Sequence, residues 1–244
     1  MKKKILIILP TLNEGYNIPI LYSKIKSLKI SLDLLFIDDG SNDNTIEIIK
    51  KIARKKNTKI KIYLIKRSKR LGIGKAHKDG LNFAYRKKYH FAITMDSDLA
   101  HDPKYINNLL KYNKKYNLVV GSRFLAKKSY ENLSIIRIYL SEIAHFLTRL
   151  LFGHNFDSTN SFRCYDLKKI NKSFLGECKT NHYDFFFTSI TILNNKKYTI
   201  HQFPMTISGR SHGSTKMELK HAIRSFFMMF RLFVKLKFNL FNIF

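Results

Sequence analysis

The feature that most constrains this chain is a series of short apolar runs, each stopping abruptly in polar text that leads into a helical pattern. Residues 5–9 (ILIIL), 34–37 (LLFI), 60–65 (IKIYLI), 91–95 (FAITM) and 118–120 (LVV) are such runs. Continuous apolar runs of this length read as strands covered on both faces. The loop Pro10-Thr11-Leu12-Asn13-Glu14 opens a helix running towards Leu28. Asn44-x-x-Glu47 resembles a capping box and starts a helix with Ile46, Ile49, Ile52 and Ala53 on one face. Arg70-Leu71-Gly72-Ile73-Gly74 precedes a third helix over about residues 75–86, and Asp102-Pro103 reads as the N-cap and first position of a fourth. A helical apolar pattern also covers residues 133–151. Strand, loop and helix repeated in this way predict an α/β fold: an open, mostly parallel sheet with helices on both faces. Ligands of such sheets lie at the carboxyl ends of the strands.

Two of those strand ends are acidic. Residues 91–95 run into Asp96-Ser97-Asp98, and residues 34–37 run into Asp38-Asp39-Gly40-Ser41. Neighbouring carboxylates at the end of an apolar strand repel each other and are costly to desolvate. A divalent cation removes that cost, and oxygen-only ligands suit Mg²⁺ or Mn²⁺. Read alone, Asp96-Ser97-Asp98 also fits a solvated turn. Other phosphate and hydrolytic motifs fail. Gly72-Ile73-Gly74 is followed by His77 where a dinucleotide fingerprint needs its last glycine, and a P-loop's first glycine and Ser/Thr are missing. No HExxH occurs, and no Ser-His-Asp order stands out.

Charge narrows the partners. Against 17 acidic residues stand 45 Lys and Arg, a formal net charge of +28 over 244 residues. The length suits one good-sized domain with a small appendage, and the charge implies an anionic partner. Lys/Asn/Ile-rich stretches account for part of the excess. Nucleic acid fits poorly, because carboxylates at a binding groove repel phosphates. Cys164 and Cys178 lack metal or redox spacing, which points to a reducing cytoplasm. Pro10 ends the N-terminal apolar run too early for a signal peptide, and no stretch reaches membrane-span length.

Taken together, Pro10-Thr11-Leu12-Asn13-Glu14, Asp38-Asp39-Gly40-Ser41 and Asp96-Ser97-Asp98 resemble the landmarks of family 2 glycosyltransferases, which have the GT-A fold. Gly72-Ile73-Gly74-Lys75-Ala76, Gly121-Ser122-Arg123-Phe124, residues 157–165 (DSTNSFRCY) and residues 210–216 (RSHGSTK) are similar to the polyprenol- or dolichol-phosphate mannose synthase branch. The resemblance spans roughly residues 5–216 and implies a catalytic domain over 1–216. It implies that Pro10, Leu12, Glu14, Ile37 and Asp39 cradle the base and ribose of a nucleotide sugar, GDP-mannose being favoured. Asp96, Ser97 and Asp98 then lie at the ribose and diphosphate, with Asp96 and Asp98 holding Mg²⁺ or Mn²⁺. Arg210 and Lys216 resemble a basic loop closing over the donor phosphates. Arg123, Arg137 and Ser141 match positions that grip the phosphate of a polyprenyl phosphate acceptor, and Asp96, Asp98 and Arg123 form the catalytic set. The alternative donor is UDP-glucose or UDP-N-acetylglucosamine, with a polyprenyl phosphate or a saccharide as acceptor. Such an acceptor phosphate is already an anionic nucleophile, so inversion without a covalent enzyme intermediate is expected.

Two departures stand out. Ala100 supplies no ligand where relatives often carry Gln or Ser, so either water or His101 completes the metal's coordination or the metal is held loosely. Asn160 stands where a small residue is usual. His145, four residues beyond Ser141, reads as solvated surface. Residues 217–244 form a basic tail, with Lys220, Arg224, Arg231 and Lys235 at helical spacing among phenylalanines. This predicts an amphipathic helix on a membrane surface, or one packed on the domain. With no span, the chain is expected to act peripherally at the cytoplasmic face or to borrow a membrane protein partner.

Overall fold

The computed structural model describes residues 3–55, 60–126, 130–209 and 219–238. In order, the elements are β1 (Ile5–Thr11), α1 (Asn17–Ser27), β2 (Asp33–Asp38), α2 (Thr45–Ala53), β3 (Ile62–Lys66), α3 (Ile73–Arg86) and β4 (Phe91–Thr94). After a 3-10 turn at Pro103–Tyr105 come α4 (Ile106–Tyr112), β5 (Leu118–Ser122), β6 (Tyr130–Glu131), α5 (Ile135–Phe152), β7 (Arg163–Asp166) and α6 (Phe174–Glu177). The last are α7 (Asp184–Asn195), β8 (Ile200–Pro204), β9 (Ile207–Ser208) and α8 (Leu219–Lys237).

Seven strands form one sheet in the order β3-β2-β1-β4-β7-β5-β8. β1, β2, β3 and β4 run parallel, as do β5 and β8, while β7 runs antiparallel between β4 and β5. The alternation of each strand divides its apolar side chains between two cores. Ile5, Ile7, Leu9, Leu34 and Phe36 pack on one face with Ile18, Leu21, Ile49 and Leu109 from α1, α2 and α4. Leu6, Ile8, Leu35 and Ile37 pack on the other with Leu81, Phe185 and Ile190 from α3 and α7. The mostly parallel sheet with helices on both faces is therefore the architecture observed.

Local chemistry adjusts several boundaries. β1 continues through Pro10 to Thr11. The capping-box reading at Asn44 is corrected: Asn44 makes no side-chain cap, and Asp43 Oδ1 accepts from Thr45 N instead. Asp102 does cap, accepting from Lys104 N with Pro103 at the first position. Gly72, at φ +93°, is held where a Cβ would meet Asn181 O at 2.5 Å, so the turn before α3 demands glycine.

The tail helix α8 packs against α5 and α7. Met229 and Leu232 bury against Phe187, with Leu147, Leu151 and Phe152 around them. Its outer face stays open: Ile223, Phe226, Phe227 and Phe230 are 52–66% exposed. Beside it, Ile135, Ile136, Tyr139, Ile143, Phe146 and Leu150 of α5 are 54–72% exposed. Among the described residues, no helix is long and apolar enough to cross a membrane.

Candidate active site

The loops after β1, β2 and β4 are tied together by their own polar groups. Asp39 N donates to Thr11 O at 2.9 Å. Asn13 N donates to Ser41 Oγ, and Asn42 N returns a bond to Asn13 Oδ1. Ser97 Oγ donates to Pro10 O at 2.6 Å. Glu14 N donates to Thr45 Oγ1, and Glu14 Oε2 accepts from Asn17 Nδ2. The loops that carry Glu14, Asp39, Asp96 and Asp98 thus lie together at the carboxyl ends of β1, β2 and β4. Asn13 and Leu99 both adopt φ near +50° to +70°. Asn tolerates this region, whereas a leucine there stores about 1–3 kcal/mol of strain, a recurrent trait of functional loops.

Asp39 is buried and accepts from Arg67 Nη1 and the backbone N–H groups of Leu71 and Gly72. Arg67, hidden in the basic run KRSKR, also pairs with Asp79, which Lys75 shares. Asp38 accepts from the backbone of Gly40 and Ser41 and from the Ser41 hydroxyl. Pro10 and Leu12 are half-buried along the same edge. The side chain of Ile37 is fully buried in the core formed with α3 and α7, beneath these loops.

Asp96 is partly exposed, its Oδ1 accepting from Ser161 Oγ at 2.8 Å, and Asp98 Oδ1 accepts from Ala100 N at 3.1 Å. His101 is buried beneath them with both ring nitrogens engaged. Nδ1 accepts from Asp96 N at 3.2 Å, and Nε2 lies 3.0 Å from Asn160 Oδ1. Asn160 is oriented by Nδ2 donating to Gly121 O and by Oδ1 accepting from Phe162 N. With Nδ1 accepting from the backbone, Nε2 is the ring nitrogen placed to donate to Asn160. The reading of His101 as a completing metal ligand is thereby corrected, since its lone pair is spent on the backbone. Among the described residues, no group of three or more His, Cys, Asp or Glu gathers for a metal. Two carboxylates at a strand end still fit Mg²⁺ or Mn²⁺, which commonly take one or two protein carboxylates and complete their shell with substrate phosphates and water.

Arg123 leaves β5 and lies against the segment preceding β7. Its backbone N and Nε reach Asp157 Oδ2 at 3.0 and 2.9 Å, Nη2 reaches Oδ1 at 2.7 Å, and Nη2 also donates to Thr159 Oγ1. Burial disfavours the charge on Arg123, but the Asp157 carboxylate outweighs it and raises the guanidinium's pKa. Burial likewise disfavours ionised Asp157, and Arg123 reverses this, holding the carboxyl below its ordinary value. Asp96 lies within electrostatic reach of Arg123. Arg163, fully buried, donates to Asn160 O, Ser158 O and Ser189 Oγ, fixing the backbone that carries Asp157, Thr159, Asn160 and Ser161.

Ser141 lies on α5 with its hydroxyl buried. The surface reading of His145 is corrected: its ring stacks on Phe124 with centroids 3.8 Å apart. Arg137 belongs to α5, and nothing further is described of its side chain. Arg210 and Lys216 lie outside the described residues. Arg67, Asp157, Thr159 and Ser161 were missed as site residues. The DSTNSFR text flagged the last three as a motif without disclosing that they join Arg123 to Asp96.

A sequence profile described as glycosyl transferase family 2 matches residues 6–178. The chain is 26% identical over 217 residues to a polyprenol monophosphomannose synthase from Mycolicibacterium smegmatis, covering 88% of this chain and 81% of that protein. It is 25% identical over 215 residues to an undecaprenyl-phosphate mannosyltransferase from Micrococcus luteus, covering 88% and 87%. Among solved structures it is similar to glucosyl-3-phosphoglycerate synthase from Mycobacterium tuberculosis in complex with Mn²⁺, uridine-diphosphate and phosphoglyceric acid. The TM-score is 0.64 at 17% identity, over 99% of this chain and 79% of that one. The likeness bears on the fold and agrees with the GT-A architecture expected.

Proposed function

Since the chain belongs to glycosyl transferase family 2, we propose that it is an inverting, metal-dependent transferase moving a hexose from a nucleoside diphosphate sugar to a polyprenyl monophosphate. The observation that carries this reading is that the loops bearing Glu14, Asp39, Asp96 and Asp98 are hydrogen-bonded together at the carboxyl ends of β1, β2 and β4, with Arg123 tied to Asp96 through residues 157–161. Carboxylates at Glu14 and Asp39 suit the N–H and O–H donors of a base and ribose. Guanine and uracil both present such donors. GDP-mannose follows from the sequence resemblance, and the names of the two relatives give mannose as the sugar. The family match supports the wider alternative better: it includes UDP-glucose or UDP-N-acetylglucosamine as donor, and a polyprenyl phosphate or a saccharide as acceptor.

The chain's own contribution is positioning and charge. Asp96 and Asp98 would hold Mg²⁺ or Mn²⁺, which offsets the charge gathering on the departing diphosphate. Ser161 and His101 fix Asp96 from two sides, while Asp157 and Thr159 fix the plane of Arg123 beside the acceptor phosphate. Arg137 and Ser141 would grip that phosphate, and Arg210 and Lys216 the donor's. No strong base is required, because the attacking phosphate oxygen is already anionic.

The exposed apolar faces of α5 and α8, set in a chain of net charge +28, support docking on an anionic bilayer at its cytoplasmic face. Residues 217–244 then serve both packing and attachment, without any need for nucleic acid; a membrane protein partner is compatible with the same face.

The test pairs calorimetric titration of GDP and UDP, with and without Mn²⁺, with a radiolabelled-donor panel against polyprenyl phosphate. Metal-dependent nucleotide binding and labelled lipid are expected, and the tighter nucleotide identifies the donor. Asp98→Asn should keep the fold by circular dichroism and abolish transfer. Labelling of saccharide alone, or full activity of Asp98→Asn, overturns the reading.

A further inference from the structure

Three polar atoms near Arg123 are buried without a hydrogen-bond partner: the Tyr130 hydroxyl, the Ser141 hydroxyl and Nδ1 of His145. Buried polar atoms are nearly always paired, and each left unpaired costs about 1–3 kcal/mol. Three in one neighbourhood point to something that binds there. Tyr130 comes from β6, while Ser141 and His145 lie one turn apart on α5. The Tyr130 hydroxyl lies beside Ser141 without a well-formed bond to it, and within electrostatic reach of Arg123. The His145 ring, within the same reach of Arg123 and Asp157 and beside Asn155 and the Phe156 backbone, stacks on Phe124, whose ring sits 5.4 Å from the Arg123 guanidinium carbon.

The chemistry of the cluster suits an oxyanion. Burial keeps Tyr130 protonated, and burial first of all disfavours a charged His145. The pair Arg123–Asp157 is close to neutral overall, so an anion held beside it needs further donors. Hydroxyls and a ring N–H supply them. Glu142 follows Ser141 in sequence but is exposed, and Asp157 is committed to Arg123.

We propose that Tyr130 and His145 join Ser141 and Arg123 in a pocket for the tetrahedral phosphate of the acceptor, with the Tyr130 hydroxyl and His145 Nδ1–H donating to its oxygens. This rests on the polyprenyl phosphate reading above and adds two residues that the sequence did not assign to it. β6 holds Tyr130 in place by pairing with β9, where Gly209 N donates to Glu131 O at 2.6 Å and Ser208 Oγ to Glu131 Oε2 at 3.0 Å.

Tyr130→Phe and His145→Phe test it, the second keeping an aromatic ring against Phe124. With farnesyl phosphate as acceptor, each should raise the acceptor KM at least about tenfold, the scale of one hydrogen bond to a charged group. The donor KM should not move. The melting temperature should hold or rise in Tyr130→Phe, since an unpaired buried hydroxyl is removed. Unchanged acceptor KM in both variants overturns the pocket. Should wild-type protein label saccharide but not farnesyl phosphate, the acceptor reading fails by itself. Calorimetry with inorganic phosphate then decides the pocket: binding weakened by Tyr130→Phe sustains it, and absent or unaltered binding overturns it.

Discussion

His101 Nε2 lies 3.0 Å from Asn160 Oδ1, while its Nδ1 accepts the backbone N–H of Asp96. A buried imidazole thus spans from the segment before β7 to the backbone of Asp96, the first acidic residue of the proposed metal site. Asn160, unusual at its position by sequence, completes the brace by also bonding Gly121 O and Phe162 N.

Removing either end of this brace should loosen Asp96. His101→Ala is expected to lower kcat about 10²-fold, the scale for an ångström-sized misplacement. His101→Asn, whose Oδ1 can replace Nδ1 as acceptor, should recover part of it. Asn160→Ala strands buried partners and should lose about 3 kcal/mol by urea denaturation. Equal activity of the Ala and Asn variants at His101 would show that the brace does not act through Asp96.

The buried pair Arg123–Asp157 separates folding from function. Asp157→Ala removes the carboxylate that holds the Arg123 guanidinium on two nitrogens and should destabilise by about 3–5 kcal/mol. Adding Arg123→Met to Asp157→Ala should restore much of that loss, as seen by chemical denaturation, while transfer remains absent. Activity in the stable double variant would remove Arg123 from the catalytic set.

Acid should weaken the fold through His77. Its ring is fully buried against Phe185 and Phe186 with both nitrogens unpaired, and burial, then Arg163 and His101, depress its pKa to about 3. The unfolded chain takes up a proton near pH 6.5 that the native state refuses until about pH 3, so stability falls with pH across that window. Between pH 7 and pH 5 the loss is about 2 kcal/mol. His154, depressed to about 4 mainly by burial, acts in the same direction. Urea denaturation at both pH values should show a shallower pH dependence in His77→Leu than in wild type. Identical slopes would refute the assignment.

Membrane docking can be read from vesicles. Ile143→Ser with Phe146→Ser on α5, and Phe226→Ser with Phe230→Ser on α8, remove mostly exposed side chains and should leave melting unchanged. Co-sedimentation with phosphatidylglycerol vesicles should weaken at least about tenfold for each pair, since a buried apolar side chain is worth about 1.5–3 kcal/mol. Undiminished sedimentation of both variants would place the lipid contact elsewhere.

The legible parts of the fold were those where burial on both faces wrote itself as an apolar run. Residues 34–37 and 91–95 gave β2 and β4 for that reason, and the acid at their ends marked the candidate site. β7 was not legible as a strand. Its sequence, Arg-Cys-Tyr-Asp, carries charged ends, and Arg163 is buried because carbonyls and Ser189 meet its guanidinium, a circumstance no local pattern records. Arg67 was concealed similarly: a basic run reads as solvated surface, yet Asp39 and Asp79 draw this member inside. His145 looked exposed on spacing alone, because its stacking partner Phe124 lies beyond the helix.

The reversed direction of β7 has an evolutionary corollary. Because it runs against its neighbours, the residues entering it arrive at the edge where β1, β4 and β5 finish, so one uninterrupted stretch serves Arg123 with Asp157 and Asp96 with Ser161. A single inserted or deleted residue between those two contacts would throw one of them out of step. Exchanges of side chains along this stretch at constant length are therefore expected to be tolerated far better than any change in its length.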